Sequence, residues 1–354
     1  MEIIFLYICF ILIFIIFAIN STVNTRSLIT SSIVNEKTKG VQIVSSSRGI
    51  KKALLIGCNY PRTSYSLQGC INDVLNVREF LILRGYTDIE LLCDDGSTTS
   101  LPTSTNIISK MTSTITNMKS GDTYFIWYSG HGAQLKNKKA DGGYDECWCP
   151  PDTVRSGKYL RDDTLNGIIK KASNGTTIFI GSDSCHSGTV FDLRYMLQDS
   201  SGANKNKTLR IAEEVRGRNK ISKQRQTTEE SRFIVSEESK RIAITRKLLR
   251  SGVVIPKAVS NMVVIQDSKF ASTSSTVVTL SGCQDYSTSA DARENGENQG
   301  AMTWAFLKAF DETKSLSDNL FNIRYCLKTA RYTQVPQLAF GILIDPATPI
   351  GNII

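Results

Sequence analysis

The 354-residue chain predicts an α/β fold: a three-layer α/β/α sandwich around a mostly parallel central sheet. Two observations predict it. Short apolar runs rich in branched and aromatic residues alternate with segments of helical periodicity. The runs are also apolar almost without interruption, the pattern of strands covered on both faces. The first strand is Ala53-Leu-Leu-Ile-Gly57, followed by a helix over 71–84 in which Val74, Val77 and Leu81 share a face. Next come a strand at Ile89-Glu-Leu-Leu92, a helix over 104–118 and a strand at Tyr124-Phe-Ile-Trp-Tyr128. A helix over 162–172 precedes the strand Thr177-Ile-Phe-Ile180. The remaining strands are Val277-Val-Thr-Leu280 and Leu338-Ala-Phe-Gly-Ile-Leu343, with helices over 301–311 and 317–331 between them.

The first 48 residues stand apart from this pattern. Ile3 to Ile19 is an unbroken apolar run, at the lower edge of what spans a bilayer as a helix. Its only early side-chain charge is Glu2, and Ala18-Ile19-Asn20 is a poor cleavage site, whereas Arg26, Lys37 and Lys39 follow it. These features favour a membrane anchor with a cytosolic body; a cleaved signal peptide and the secretory pathway are the alternative. The net charge of +9 is equally local. Residues 200–260 hold fifteen Lys or Arg against six Asp or Glu, so the rest of the chain carries 27 of each sign. Polar composition marks 199–262 as a basic, mobile insertion between a large region at 49–198 and a small one at 263–354. Phe233 is its only aromatic residue, which argues against specific nucleic-acid binding, although anionic surfaces would attract it.

The chemistry concentrates at two strand exits, where open α/β sheets bind ligands. The Tyr124 strand runs into Ser129-Gly-His-Gly132, and the Thr177 strand into Gly181-Ser-Asp-Ser-Cys-His-Ser-Gly188. An odd count of nine cysteines, without a regular framework, points to reduced thiols. Cys147-Trp-Cys149 has no second pair to complete a zinc site. An imidazole activates a thiol only within about 3 Å or through one water. The chain has two histidines, His131 and His186. Neighbouring residues of an extended segment face apart, so His186 is the poorer partner for Cys185. The expected dyad is His131 with Cys185.

These residues carry a family likeness. The two exits in this order resemble the metacaspases, caspase-like cysteine peptidases. Further matching pieces are Ala53-Leu-Leu-Ile-Gly-Cys-Asn-Tyr60, Leu67-Gln-Gly-Cys-Ile-Asn-Asp73, Asp141-Gly-Gly-Tyr-Asp-Glu146, Ser281-Gly-Cys-Gln-Asp285, Ser289-Ala-Asp-Ala292 and Gly300-Ala-Met-Thr303. The likeness covers roughly residues 50–198 and 263–345, and the short insertion leans toward the type I arrangement. Residues 1–48 show no Pro-rich or zinc-finger pattern, a departure from many plant type I members.

The resemblance implies a caspase-like fold and an endopeptidase that cuts protein or peptide substrates after Arg or Lys. It implies a pocket with Asp73 and Asp183 as its carboxylates, lined by Cys70 and Ser129. Asp73 reads equally well as a cap or turn residue. Backbone N–H groups of Gly132 and Cys185 are the expected oxyanion donors. Calcium is implied as an activator, on Asp145, Asp162, Asp163 and Asp192, with Glu146 as a substitute for Asp145 and helix capping as the competing role of Asp162-Asp163. An enzyme of this specificity meets candidate self-cleavage sites in its own insertion, densest at Lys240-Arg241 and Arg246-Lys247. The resemblance also suggests a monomer.

Overall fold

Strand β1 (Lys51–Gly57) shows why a central sheet forms. Its side chains alternate between two apolar cores, Ala53 and Leu55 into one, Leu54 and Ile56 into the other. The same division holds for β3 (Thr123–Ser129) and β7 (Thr177–Asp183). Phe125, Trp127 and Phe179 enter the first core; Tyr124, Ile126, Tyr128, Ile178 and Ile180 enter the second. A strand that is apolar on both faces needs a cover on each side. The computed structural model supplies it, describing residues 49–136, 144–184, 191–199, 262–282, 291–294 and 297–354. The apolar run at 3–19, the nucleophile candidate Cys185 with His186, and the self-cleavage candidates Lys240, Arg241, Arg246 and Lys247 lie outside those residues. Among the described residues, no helix is long and apolar enough to cross a membrane.

The main sheet runs β2-β1-β3-β7-β10-β13-β8-β9, where β2 is Asp88–Cys93, β8 Tyr195–Asp199, β9 Met262–Gln266, β10 Thr276–Ser281 and β13 Gln337–Phe340. From β2 to β10 all neighbours are parallel, and from β10 to β9 all are antiparallel. Helices α1 (Cys70–Ile82), α5 (Ala301–Ala309) and α6 (Leu316–Thr329) contribute to the first core. Helices α2 (Ser104–Asn117) and α4 (Asp162–Ile169) contribute to the second. The result is the expected α/β/α sandwich.

Several short elements have no counterpart in the apolar pattern. Strands β4 (Gly132–Lys136), β5 (Tyr144–Trp148) and β6 (Leu160–Arg161) make a small antiparallel sheet, and α3 (Thr153–Ser156) joins β5 to β6. Strands β11 (Asp291–Glu294) and β12 (Glu297–Gly300) pair with each other. Such strands are too short and polar to stand out by periodicity. Strands β8 and β9 are antiparallel neighbours with Asp199 opposite Met262. The basic insertion therefore joins two residues that face each other, about 5 Å apart in such a ladder.

Candidate active site

Strands β3 and β7 are adjacent and parallel, with Ser129 opposite Asp183. The Gly130 N–H donates to the Asp183 carbonyl at 3.3 Å. The chain segments leading to His131 and Cys185 thus leave the sheet side by side, each two residues beyond a paired position. Cys185 itself lies outside the described residues.

His131 is held by contacts that single-sequence reading does not reveal. Its Nε2 lies 2.7 Å from the Tyr65 carbonyl. A carbonyl only accepts, so Nε2 carries the proton in the neutral ring and Nδ1 is the basic nitrogen. The His131 N–H donates to the Tyr60 hydroxyl and its carbonyl accepts from the Tyr128 hydroxyl, both at 2.8 Å. Gly132 begins β4 opposite Trp148, and the Cys149 N–H donates to the His131 carbonyl at 3.0 Å. By the alternation of an antiparallel ladder, the Gly132 N–H points away from β5.

The two carboxylates expected to form a pocket, Asp73 and Asp183, come together in the interior. Asp73 lies in the first turn of α1 at 0 % exposure, and Asp183 ends β7 at 2 %. The Ser129 hydroxyl donates to Asp73 Oδ2 at 2.6 Å, and the Gly300 N–H donates to Asp73 Oδ1 at 2.8 Å. Asp183 Oδ2 accepts from the Thr303 N–H and the Thr303 hydroxyl, each at 2.8 Å. Asp73 therefore reaches across to two other segments of the chain. A β-carbon added at Gly300 would sit 2.1 Å from Asp183 Oδ2 and 2.7 Å from Asp73 Oδ2. Both carboxylates press on this one glycine, at the N-cap of α5, the positive end of the helix dipole. Cys70, the first residue of α1, is buried beside this region with its N–H on the Asn59 side chain.

A second acidic group stands at the junction of β5 and α4. Carboxylate oxygens of Asp145, Asp162 and Asp163 lie within 4.8 Å of one another. Asp145 and Asp162 are buried. Burial pushes the Asp162 carboxyl up to about 6, against the lowering effect of the Asp163 and Glu146 N–H groups it accepts. Arg161 pairs with Asp145 at 2.6 Å. Asp162 and Asp163 do open α4, but its N-cap is Arg161 and makes no side-chain cap. Asp192, at φ +47°, stands outside the set of three, as does Glu146.

Hydrogen bonds run from this corner toward the nucleophile motif. The Trp148 indole N–H donates to the Ser182 hydroxyl at 2.9 Å, and Ser182 and Ser184 hydroxyls lie 2.9 Å apart. Asn166 of α4 donates to the Phe191 carbonyl, beyond the motif. Tyr60, Tyr65, Tyr128, Gly300 and Thr303 were not assigned roles from sequence. Tyr60, Tyr128, Gly300 and Thr303 do fall inside pieces that carried the family likeness, Tyr128 opening Tyr128-Ser-Gly-His-Gly132.

Fold and motifs together define a class, an α/β sandwich with His131 just past one strand and, in the sequence, a cysteine motif following the neighbouring strand. The metacaspase peptidase C14 domain model matches residues 51–194. Metacaspase-1 of Scheffersomyces stipitis is 34% identical over 302 residues, spanning 83% of this chain and 72% of that protein. Metacaspase-1 of Mycosarcoma maydis is 33% identical over 309 residues, spanning 85% and 73%. Protein GSU0716 from Geobacter sulfurreducens, a crystal structure, shares the fold at a TM-score of 0.51 and 20% identity, covering 86% of this chain and all of its own. The chain belongs to the metacaspases and is a cysteine-type endopeptidase with a caspase-like fold.

Proposed function

We propose that this metacaspase cleaves peptide bonds after Arg or Lys with a His131–Cys185 dyad, and that calcium activates it. The observation that carries the specificity is the buried pair Asp73 and Asp183, packed against one glycine. Two carboxylates in a site of low polarity suit a guanidinium or ammonium group, since charge pairing there exceeds its strength in water.

In the reaction, His131 Nδ1 takes the Cys185 proton and the thiolate attacks the scissile carbonyl. The N–H groups of Gly132 and Cys185 receive the oxyanion. The C–N bond then breaks, His131 protonates the departing amine, and water hydrolyses the thioester with the same base. Asp145, Asp162 and Asp163 fit a hard divalent cation, because they crowd carboxylate oxygens in a partly buried corner. A bound calcium ion would supply positive charge there, with Asp192 a further ligand by family likeness. The basic insertion offers Lys240, Arg241, Arg246 and Lys247 as self-cleavage positions. The run 3–19 serves as a membrane anchor in this reading, and the enzyme acts as a monomer.

The dyad is tested by turnover of an arginyl peptide. Cys185→Ala and His131→Ala should each lower kcat/KM by roughly 10³-fold or more. Activity surviving Cys185→Ala would contradict the assignment.

A further inference from the structure

We propose that Tyr60 and Asp94 are positioning residues for His131, with Asp94 fixing a strained turn so that the Tyr60 hydroxyl grips the histidine backbone; this rests on His131 being the base. Tyr60 has φ +49° and Arg62 φ +62°, a left-handed conformation that residues with a β-carbon avoid. Something must hold the turn there. Asp94 immediately follows β2, whose last residue Cys93 lies opposite Gly57, so it stands abreast of the end of β1. Its Oδ1 accepts from the Asn59 N–H at 2.8 Å and its Oδ2 from the Tyr60 N–H at 2.7 Å. The loop then closes on itself. The Leu67 N–H donates to the Asn59 carbonyl at 2.8 Å, and the Thr63 hydroxyl to the Tyr60 carbonyl at 2.8 Å. This closed loop presents the Tyr65 carbonyl to His131 Nε2.

The Tyr60 side chain completes the grip. Its hydroxyl accepts from the His131 N–H at 2.8 Å and donates to the Cys149 carbonyl at 2.6 Å. The Tyr128 hydroxyl, 3.2 Å away, donates to the His131 carbonyl. Both phenols are buried, which pushes their pKa well above the usual value; each therefore keeps its proton to donate. The Tyr60 ring also lies 4.7 Å from the imidazole, centroid to centroid. Gly130 is required for this arrangement, because a β-carbon there would fall 2.8 Å from both hydroxyl oxygens. One turn thus fixes the histidine at its backbone, its ring face and, through Tyr65, its protonated nitrogen. The other ring nitrogen is left aimed as the base.

The inference predicts an effect on the imidazole and not on stability alone. With only two histidines in the chain, a ¹⁵N imidazole spectrum of the whole protein contains two rings, assigned with His131→Ala. Recorded at high pH, where an imidazole carries a single proton, the wild-type spectrum should show that of His131 on Nε2. Tyr60→Phe and Asp94→Asn should each give a mixture of tautomers. Alkylation of Cys185 by iodoacetamide, followed by mass spectrometry, gives the second readout. A misplaced base lets the thiol return toward its ordinary range, so the rate near pH 6.5 should fall roughly tenfold and recover near pH 9. Tyr86→Phe is the control, because this buried hydroxyl makes no hydrogen bond and lies in the opposite core; it should leave both readouts unchanged. Lowered melting temperatures with wild-type tautomer and alkylation profile in Tyr60→Phe and Asp94→Asn would overturn the proposal. If Tyr60→Phe does not fold, Asp94→Asn decides alone. A wild-type alkylation profile in His131→Ala would instead overturn the base assignment itself.

Discussion

Gly300 is the residue on which the proposed acidic pocket turns. Asp73 and Asp183 both approach it more closely than any side chain would permit. Gly300→Ala should push the carboxylates apart, costing about 1–3 kcal/mol of stability and most of the turnover of an arginyl peptide. Thermal melts with paired kcat/KM measurements check this, and unchanged kinetics would contradict it. Thr303 is a second such position. Its hydroxyl donates to Asp183 and accepts from the Trp127 indole at 3.3 Å, tying the pocket to the core. Thr303→Val should cost about 1–3 kcal/mol by leaving the indole N–H unmatched, while Thr303→Ser should remain near wild type in the same melts. At this scale the sequence singles out residues with distinctive chemistry, such as His131 and Asp183, from their motifs alone. It was silent on residues whose role is a contact across distant segments. Nothing local in the chain places Gly300 against Asp73, or Tyr60 against His131.

Among the elements, the short sheet β4-β5-β6 joins the catalytic side to the acidic corner. β4 begins at Gly132, next to His131, and β5 carries Asp145 and Trp148. The raised Asp162 carboxyl gives the corner a pH dependence. Its folded-state value of about 6 lies above the ordinary carboxylate value, so the folded protein binds the extra proton between about pH 4 and 6. In calcium-free protein, the Asp162 contribution to stability should therefore fall as pH rises through that window. Asp162→Asn should flatten the trend. Proton and cation compete for the same oxygens, so calcium should raise the melting temperature more at pH 7.5 than at pH 5. Equal shifts at both pH values would contradict the metal assignment. The long elements were legible because their apolar faces repeat, and the expected strands and helices are present within a few residues at each end. The short sheet was not, since β4, Gly132–Lys136, has no apolar run.

For the whole molecule, the sheet order interleaves the two sides of the insertion. β10 and β13, which follow it, lie between β7 and β8, which precede it. Cleavage anywhere in residues 200–261 should leave the two pieces joined through the β7–β10, β13–β8 and β8–β9 ladders. Processed enzyme should run as two bands on a denaturing gel and as one species in gel filtration; separation of the fragments would contradict this topology. The sandwich itself was legible from the doubly apolar strands, whereas the order of the last strands was not, because no pattern within a strand names the neighbour it pairs with. What unites the scales is that the fold brings two buried carboxylates beside the exits of β3 and β7. Their effect is measured most directly by kcat/KM for two peptides that differ only in arginine or its neutral isostere citrulline at the scissile position. The arginyl peptide should be preferred by roughly 100-fold or more, about 3 kcal/mol, and Asp183→Asn should erase most of the difference. Equal turnover of the two peptides by the wild-type enzyme would contradict the acidic pocket.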